Sequence, residues 1–137
     1  MKDVLKQKYP EYFPENCPPD DANTDEKQLF RFCNGNIPEV SDFISYYQKS
    51  PDKYKEIINA YGLSVLQSRN DCLRAYRKFP FLRKYKSIAQ GFTNFARGSW
   101  KVTPGKISPT HLTWWVCDGV IPSNFFVFDF LLGDSNE

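Results

Sequence analysis

Between Thr110 and Cys117 the chain is apolar on both alternating faces: Leu112, Trp114 and Val116 fall on one, Trp115 and Cys117 with His111 and Thr113 on the other. A period of two with both faces apolar predicts a strand covered on each side, by helices on one and by a second layer on the other. Phe125 to Leu131 has the same character, with Phe126, Phe128 and Phe130 opposite Phe125, Val127, Asp129 and Leu131. Asp118-Gly119 and Pro122 lie between the two runs, so they read as central strands joined as a hairpin. Leu29-Phe30-Arg31-Phe32-Cys33 alternates weakly and stops at Asn34-Gly35-Asn36, which predicts a short strand. Leu63 to Leu66, and Ser87 to Phe95 with a bend at Gly91, read as further strands.

Three segments carry helical spacing instead. Val40, Phe43, Ile44 and Tyr47 predict a short helix within 38–48. Ser50 as cap, Pro51 at the first helical position, a stripe of Tyr54, Ile57, Ile58 and Tyr61, and Gly62 at the end predict one continuous helix. A third starts at Ser68 or Asn70, turns Cys72, Leu73, Ala75, Tyr76 and Phe79 inward, and ends where Pro80 restricts Phe79. The expected fold is α+β: a single domain over 29–137 with a mostly antiparallel or mixed sheet of about five strands and two or three helices packed on it. Residues 1–28, with Pro10, Pro14, Pro18 and Pro19, read as an irregular N-terminal arm pinned by Tyr9, Tyr12 and Phe13.

The length of 137 residues fits one domain and excludes a multidomain enzyme. A hydrophobic fraction of 41% excludes a disordered chain. The cysteines, Cys17, Cys33, Cys72 and Cys117, form no CxxC pair, so they read as free thiols of a cytoplasmic protein; the alternative is a disulfide-bearing mature chain without its leader. The first ten residues are too polar for a secretory signal, and no apolar run is long enough for a membrane helix. The overall size and loose architecture suggest a bacterial or phage accessory protein.

Net charge is +2, but its distribution is uneven. Residues 69–106 hold ten basic groups against one acidic, a net +9, while 107–137 hold four acidic groups and no basic one. Such a segment is a solvated face, the footprint of a phosphate backbone, a nucleotide or an acidic protein surface, or an intramolecular match with the acidic tail. The candidate binding residues are Arg69, Arg74, Arg77 and Lys78 on the third helix and Arg83, Lys84, Tyr85 and Lys86 beyond Pro80, with Tyr85 as a stacking surface between two lysines.

No phosphate-loop, dinucleotide-binding, zinc-protease, nucleophile-elbow or calcium-loop motif is present, and no cofactor is implied. The residues at odds with their surroundings are Arg31, His111 and Asp129, each in an apolar strand. Arg31 is either a snorkelling strand arginine or an anion-binding group at a cleft. If the last two strands pair, His111 and Asp129 can share a face and act in acid–base chemistry; otherwise His111 is a buried histidine satisfied by one hydrogen bond. The leading expectation is a noncatalytic binding module that docks an acidic protein or nucleic acid through its basic helix and patch. A homodimer would account for strands apolar on both faces. The alternative is a small nucleotide-modifying or RNA-cleaving enzyme in which Arg31 holds phosphate and His111, with Asp129, serves catalysis.

Overall fold

The computed structural model describes residues 6–133. One antiparallel sheet holds β1 (Lys27–Cys33), β3 (Ser87–Thr93) and β6 (Val127–Leu131), in the order β1-β3-β6. A second antiparallel sheet holds β2 (Leu63–Val65), β4 (Gly98–Val102) and β5 (Leu112–Val116), in the order β2-β5-β4. The helices are α1 (Tyr46–Lys49), α2 (Pro51–Tyr54) and α3 (Arg69–Lys78). The domain is α+β, as the patterning predicts, with its strands divided between two sheets. None of the described helices is long and apolar enough to cross a membrane.

The sheets face each other across a core of Leu29, Cys33 and Ala89 from the first and Leu63, Val65, Leu112 and Trp114 from the second, closed by Phe43 and Phe126. Alternation along β1 sends Phe30 the other way, where it packs with Ile88, Leu82 and Leu132 against Cys72 and Ala75 of α3. On the outer face of the second sheet, Trp115 packs with Cys17 and Tyr61 beneath Tyr9 and Phe13. The segment before β1 is fastened there by Tyr9 Oη to Ser99 Oγ at 2.7 Å and by a β-bridge between Asn23 and Trp100. Both faces of β5 are therefore covered, one by the other sheet and one by this segment.

Four local expectations are corrected. The last two strands are not a hairpin: β5 pairs with β2 and β4, whereas β6 pairs with β3. Between them a 3-10 turn at Pro122–Asn124 carries Phe126 into the inter-sheet core, where it stacks on Trp114 at 5.5 Å and meets Phe43 edge-on at 5.1 Å. The chain thus crosses the core before it enters the other sheet. β6 is an edge strand rather than a central one, with Val127, Phe128 and Leu131 exposed. Gly98–Val102, which the sequence reading leaves without a strand, is β4, paired with β5 along its whole length.

The continuous helix expected from Pro51 to Tyr61 stops after α2 and resumes as a 3-10 turn at Ile58–Tyr61. Tertiary partners take the backbone there. Trp115 Nε1 donates to Ile58 O at 3.1 Å, Tyr61 Oη donates to Lys55 O at 2.9 Å, and the Tyr61 ring stacks on Tyr47 at 4.2 Å. The adjacent β-branched Ile57 and Ile58 supply little helix propensity against these contacts. α3 matches its prediction: Ser68 Oγ accepts from Asp71 N at 3.0 Å, and Phe79, extended before Pro80, ends the helix.

Candidate anion pocket at the seam of the sheets

The two sheets meet at β1 and β2 through a single bridge, in which Phe30 and Leu66 exchange both backbone hydrogen bonds at 2.9 Å. Arg31 lies beside that bridge and crosses the seam. Its Nε donates to Asp42 O at 2.6 Å and its Nη1 to Ser64 O at 2.7 Å. Its guanidinium carbon stands 5.8 Å from the Phe43 ring centroid. Nη2 has no hydrogen-bond partner among the described residues, and no buried side-chain nitrogen or oxygen among them lacks one, so Nη2 keeps solvent access on a residue that lines the adjoining cavity. An arginine in an apolar strand is therefore half structural, with one end of the fork unspent.

That cavity encloses about 180 Å³. Its inner wall is made of buried Ser45, Gly62, Leu63 and Leu82, and its charged groups are Arg31, Lys49 and Lys84. Among the described residues, no carboxylate, imidazole or thiol lines it. Lys49 is set by α1, where Ser45 and Gln48 cap each other reciprocally: Gln48 N donates to Ser45 Oγ at 3.2 Å and Ser45 N to Gln48 Oε1 at 3.0 Å. Lys84 ends the 3-10 turn Pro80–Lys84, which buried Leu82 anchors. Arg83 ties that turn to α3, donating to Tyr76 O at 2.9 Å and Arg77 O at 3.0 Å. Each lysine stands over the tyrosine of its own segment: Lys49 lies 5.9 Å from Tyr46 and Lys84 lies 5.2 Å from Tyr85. Tyr46 and Phe81, 52% and 53% exposed, keep ring surface open at the cavity.

The electrostatics follow from this convergence. Burial lowers the Arg31 pKa from its ordinary value, a shift opposed in part by Tyr85, Cys33, Tyr46 and Asp42. Burial also lowers the Lys49 ammonium, and the positive charges of Arg31 and Lys84 push it further the same way. Asp42 is the neighbouring carboxylate, but its oxygens are spent locally. Oδ1 accepts from Asn34 N at 2.9 Å and Asn34 Nδ2 at 3.3 Å, and Oδ2 accepts from Glu39 N at 2.9 Å. The cavity is left with clustered positive charge and no carboxylate of its own.

The other candidate residues scatter. Asp129 sits at a β-bulge of β6, where Phe128 and Phe130 face consecutive residues of β3. It accepts both arms of Arg69, at 3.0 and 2.8 Å. His111 lies near β4, its Nδ1 donating to Thr103 O at 2.9 Å, with Thr103 Oγ1 at 3.0 Å. Burial lowers its pKa, the Thr103 hydrogen bond opposing. His111 and Asp129 therefore belong to different sheets and different partners, and Arg31 is apart from both. Arg74 pairs with Asp71 at 2.9 Å and Arg83 is spent on the end of α3. Arg77, Lys78, Lys84 and Lys86 have no ion-pair partner among the described residues. Lys84 and Tyr85 are the two members of the expected patch that join Arg31 in the cavity.

Sequence reading missed Lys49, Tyr46 and Phe81. Lys49 falls in a window of zero net charge, and only the fold brings it to Arg31. The described residues hold no cluster of ligating side chains for a metal. No protein-family model matches the chain, and comparison with curated proteins and with solved structures returns no significant match.

Proposed function

We propose that the protein is a binding module for nucleic acid, engaging phosphate at the cavity of Arg31, Lys49 and Lys84. The observation that carries this reading is the meeting of three cations, from β1, α1 and the 80–84 turn, around a cavity with no lining carboxylate. Like charges at close range raise the energy of the empty site, and an anion relieves it. Rings interleaved with these cations, Tyr46, Phe81 and Tyr85, support nucleic acid over an acidic protein surface, since bases stack on such rings and carboxylates do not. A lining without imidazole or carboxylate suits holding an anion rather than acid–base catalysis. Unspent Arg77, Lys78 and Lys86 extend the basic surface along the chain on either side of the 80–84 turn.

A cytoplasmic setting belongs to this proposal, supported by four buried cysteines, none in a disulfide. So does a homodimer through β6, supported by its single strand neighbour and by exposed Val127, Phe128 and Leu131. Sedimentation equilibrium tests the dimer, and a strictly monomeric chain rejects it.

Fluorescence anisotropy with labelled single-stranded and duplex DNA and RNA, at about 50 and 200 mM salt, tests the main reading. Single strands should bind at low salt and weaken steeply at high salt. The Lys49→Gln/Lys84→Gln variant should weaken binding and reduce the salt slope by about 1.4, from two lost contacts at about 0.7 each on a single strand. An unchanged affinity in that variant, or no binding at low salt, refutes the assignment.

A further inference from the structure

We propose that the cavity takes a phosphomonoester dianion on a sugar that also bears a planar base: a nucleoside monophosphate group, either free or as the phosphorylated end of a single strand. The proposal rests on the anion-binding reading above and narrows it to one chemical form of phosphate.

Charge balance comes first. Arg31, Lys49 and Lys84 bring three positive charges to the cavity, and the nearby Asp42 turns its carboxylate to Asn34 and Glu39, meeting Arg31 only through its backbone carbonyl. A phosphodiester offsets one of the three, whereas a phosphomonoester, with about 1.5 to 2 negative charges at neutral pH, comes closer to balance. Donor geometry points the same way. Nε and Nη1 of Arg31 are fixed on carbonyls, so Nη2 is held rigidly as a donor at the wall, while the two ammonium groups bring rotatable donors from other elements. Three donors from three directions suit a terminal phosphate, whose three free oxygens outnumber the two of a diester.

Size and surroundings add the ring. A cavity of about 180 Å³ has room for a phosphate, and Tyr46 and Phe81, which line it and expose about half their surface, offer an attached base rings to stack on. A chain end reaches the buried wall of Leu63 and Leu82 without the strand having to turn back out.

The test uses the full chain and isothermal titration at fixed salt with adenosine, 5′-AMP, 3′-AMP, inorganic phosphate and a short oligoadenylate with or without a terminal phosphate. The better monophosphate should bind at least tenfold more tightly than adenosine and than inorganic phosphate, and Lys84→Gln should erase the preference over adenosine while circular dichroism stays unchanged. Tyr46→Ala with Phe81→Ala should cost the monophosphate its advantage over inorganic phosphate. Binding of the phosphorylated oligonucleotide as tight as that of the mononucleotide assigns the site to strand ends, and binding of the mononucleotide alone assigns it to free nucleotides; both support the proposal. Equal binding of phosphorylated and unphosphorylated oligonucleotides overturns it while leaving the backbone-binding reading intact. Inorganic phosphate binding as tightly as AMP overturns the ring. Absence of binding by every probe overturns both readings.

Discussion

Gly91, in the middle of β3, lies flat beneath the face of Phe126. A Cβ built on it would stand 2.6 Å from Phe126 Cδ1 and 2.8 Å from Cε1 and Cγ. The ring has nowhere to go. It is 3% exposed, stacked on Trp114 at 5.5 Å and edge-on to Phe43 at 5.1 Å, so yielding to a methyl group would disturb the inter-sheet core. Overpacking of this kind costs about 1–3 kcal/mol. The backbone accepts alanine here, and reduced freedom of the unfolded chain returns about 0.4–1 kcal/mol. At mid-range, about 2 less about 0.7, Gly91→Ala should therefore lose about 1.3 kcal/mol net. Unfolding entropy of about 2.1 cal/mol/K per residue makes each kcal/mol worth about 3.5 °C in a chain of this size. The expected drop in Tm is about 4–5 °C by calorimetry or circular dichroism. Phe126→Leu, which replaces the ring by a smaller branched alkyl group, should cost stability alone yet make Gly91→Ala cheaper, with a coupling of about 0.5–3 kcal/mol in the double-mutant cycle. Gly105→Ala, whose added carbon meets only Thr103 O at 3.9 Å, is the control and should leave Tm in place. Strict additivity of the two core substitutions, or a wild-type Tm for Gly91→Ala, would refute the packing argument.

Arg31→Met removes the donors to Asp42 O and Ser64 O and should cost about 2–4 kcal/mol in denaturant titration, whereas Lys49→Gln, exposed and unpaired, should stay within about 0.5 kcal/mol. Trp114→Phe deprives buried Thr93 Oγ1 of the 2.8 Å bond from Trp114 Nε1 and should cost about 1–3 kcal/mol, measured the same way. His111 has a folded pKa below its unfolded value near 6.5, so the unfolded chain binds the proton more readily; stability is complete above that value and declines as pH falls toward the folded one, and His111→Asn should flatten that part of the Tm–pH curve. Burial pushes the Cys17 and Cys33 thiols up to about 12, and Cys72 and Cys117 upward as well. Ellman's reagent at pH 8 should therefore leave the native protein nearly untouched and titrate four thiols in denaturant, and stability should decline once pH exceeds the unfolded thiol value near 9.

Much of the fold was legible because local signals and tertiary structure agree. Ser68 and Pro80 bracket α3 as their chemistry requires, and the two-sided apolar alternation of β5 identifies a strand covered on both faces. β4 was hidden because Gly98, Ser99 and Lys101 carry little strand propensity; Gly98 is there because the backbone carbonyl of Trp115 comes close to it, a long-range reason that no short window shows. The partner of β6 was hidden because alternation reports which residues share a face but not which strand lies next to it. At the site, Arg31 announced itself as a charge among apolar neighbours, and Lys84 and Tyr85 as part of a basic run. Lys49 gave no such signal, since its importance comes from lining the same cavity as Arg31, 18 positions away in the chain.

The Phe30–Leu66 bridge has a kinetic consequence. Because it is the one backbone pairing between the two sheets among the described residues, its amides report whether the sheets open as one unit or two. Arg31 sits beside it and clamps Ser64 of the opposite sheet, so an occupied cavity fastens the same seam from the side. Deuterium uptake at Phe30 and Leu66 should then slow together when a ligand fills the pocket, and the slowing should spread to β3 and β5, which never touch that ligand. Occupancy would be written into the exchange clock of the whole domain rather than into a loop that closes.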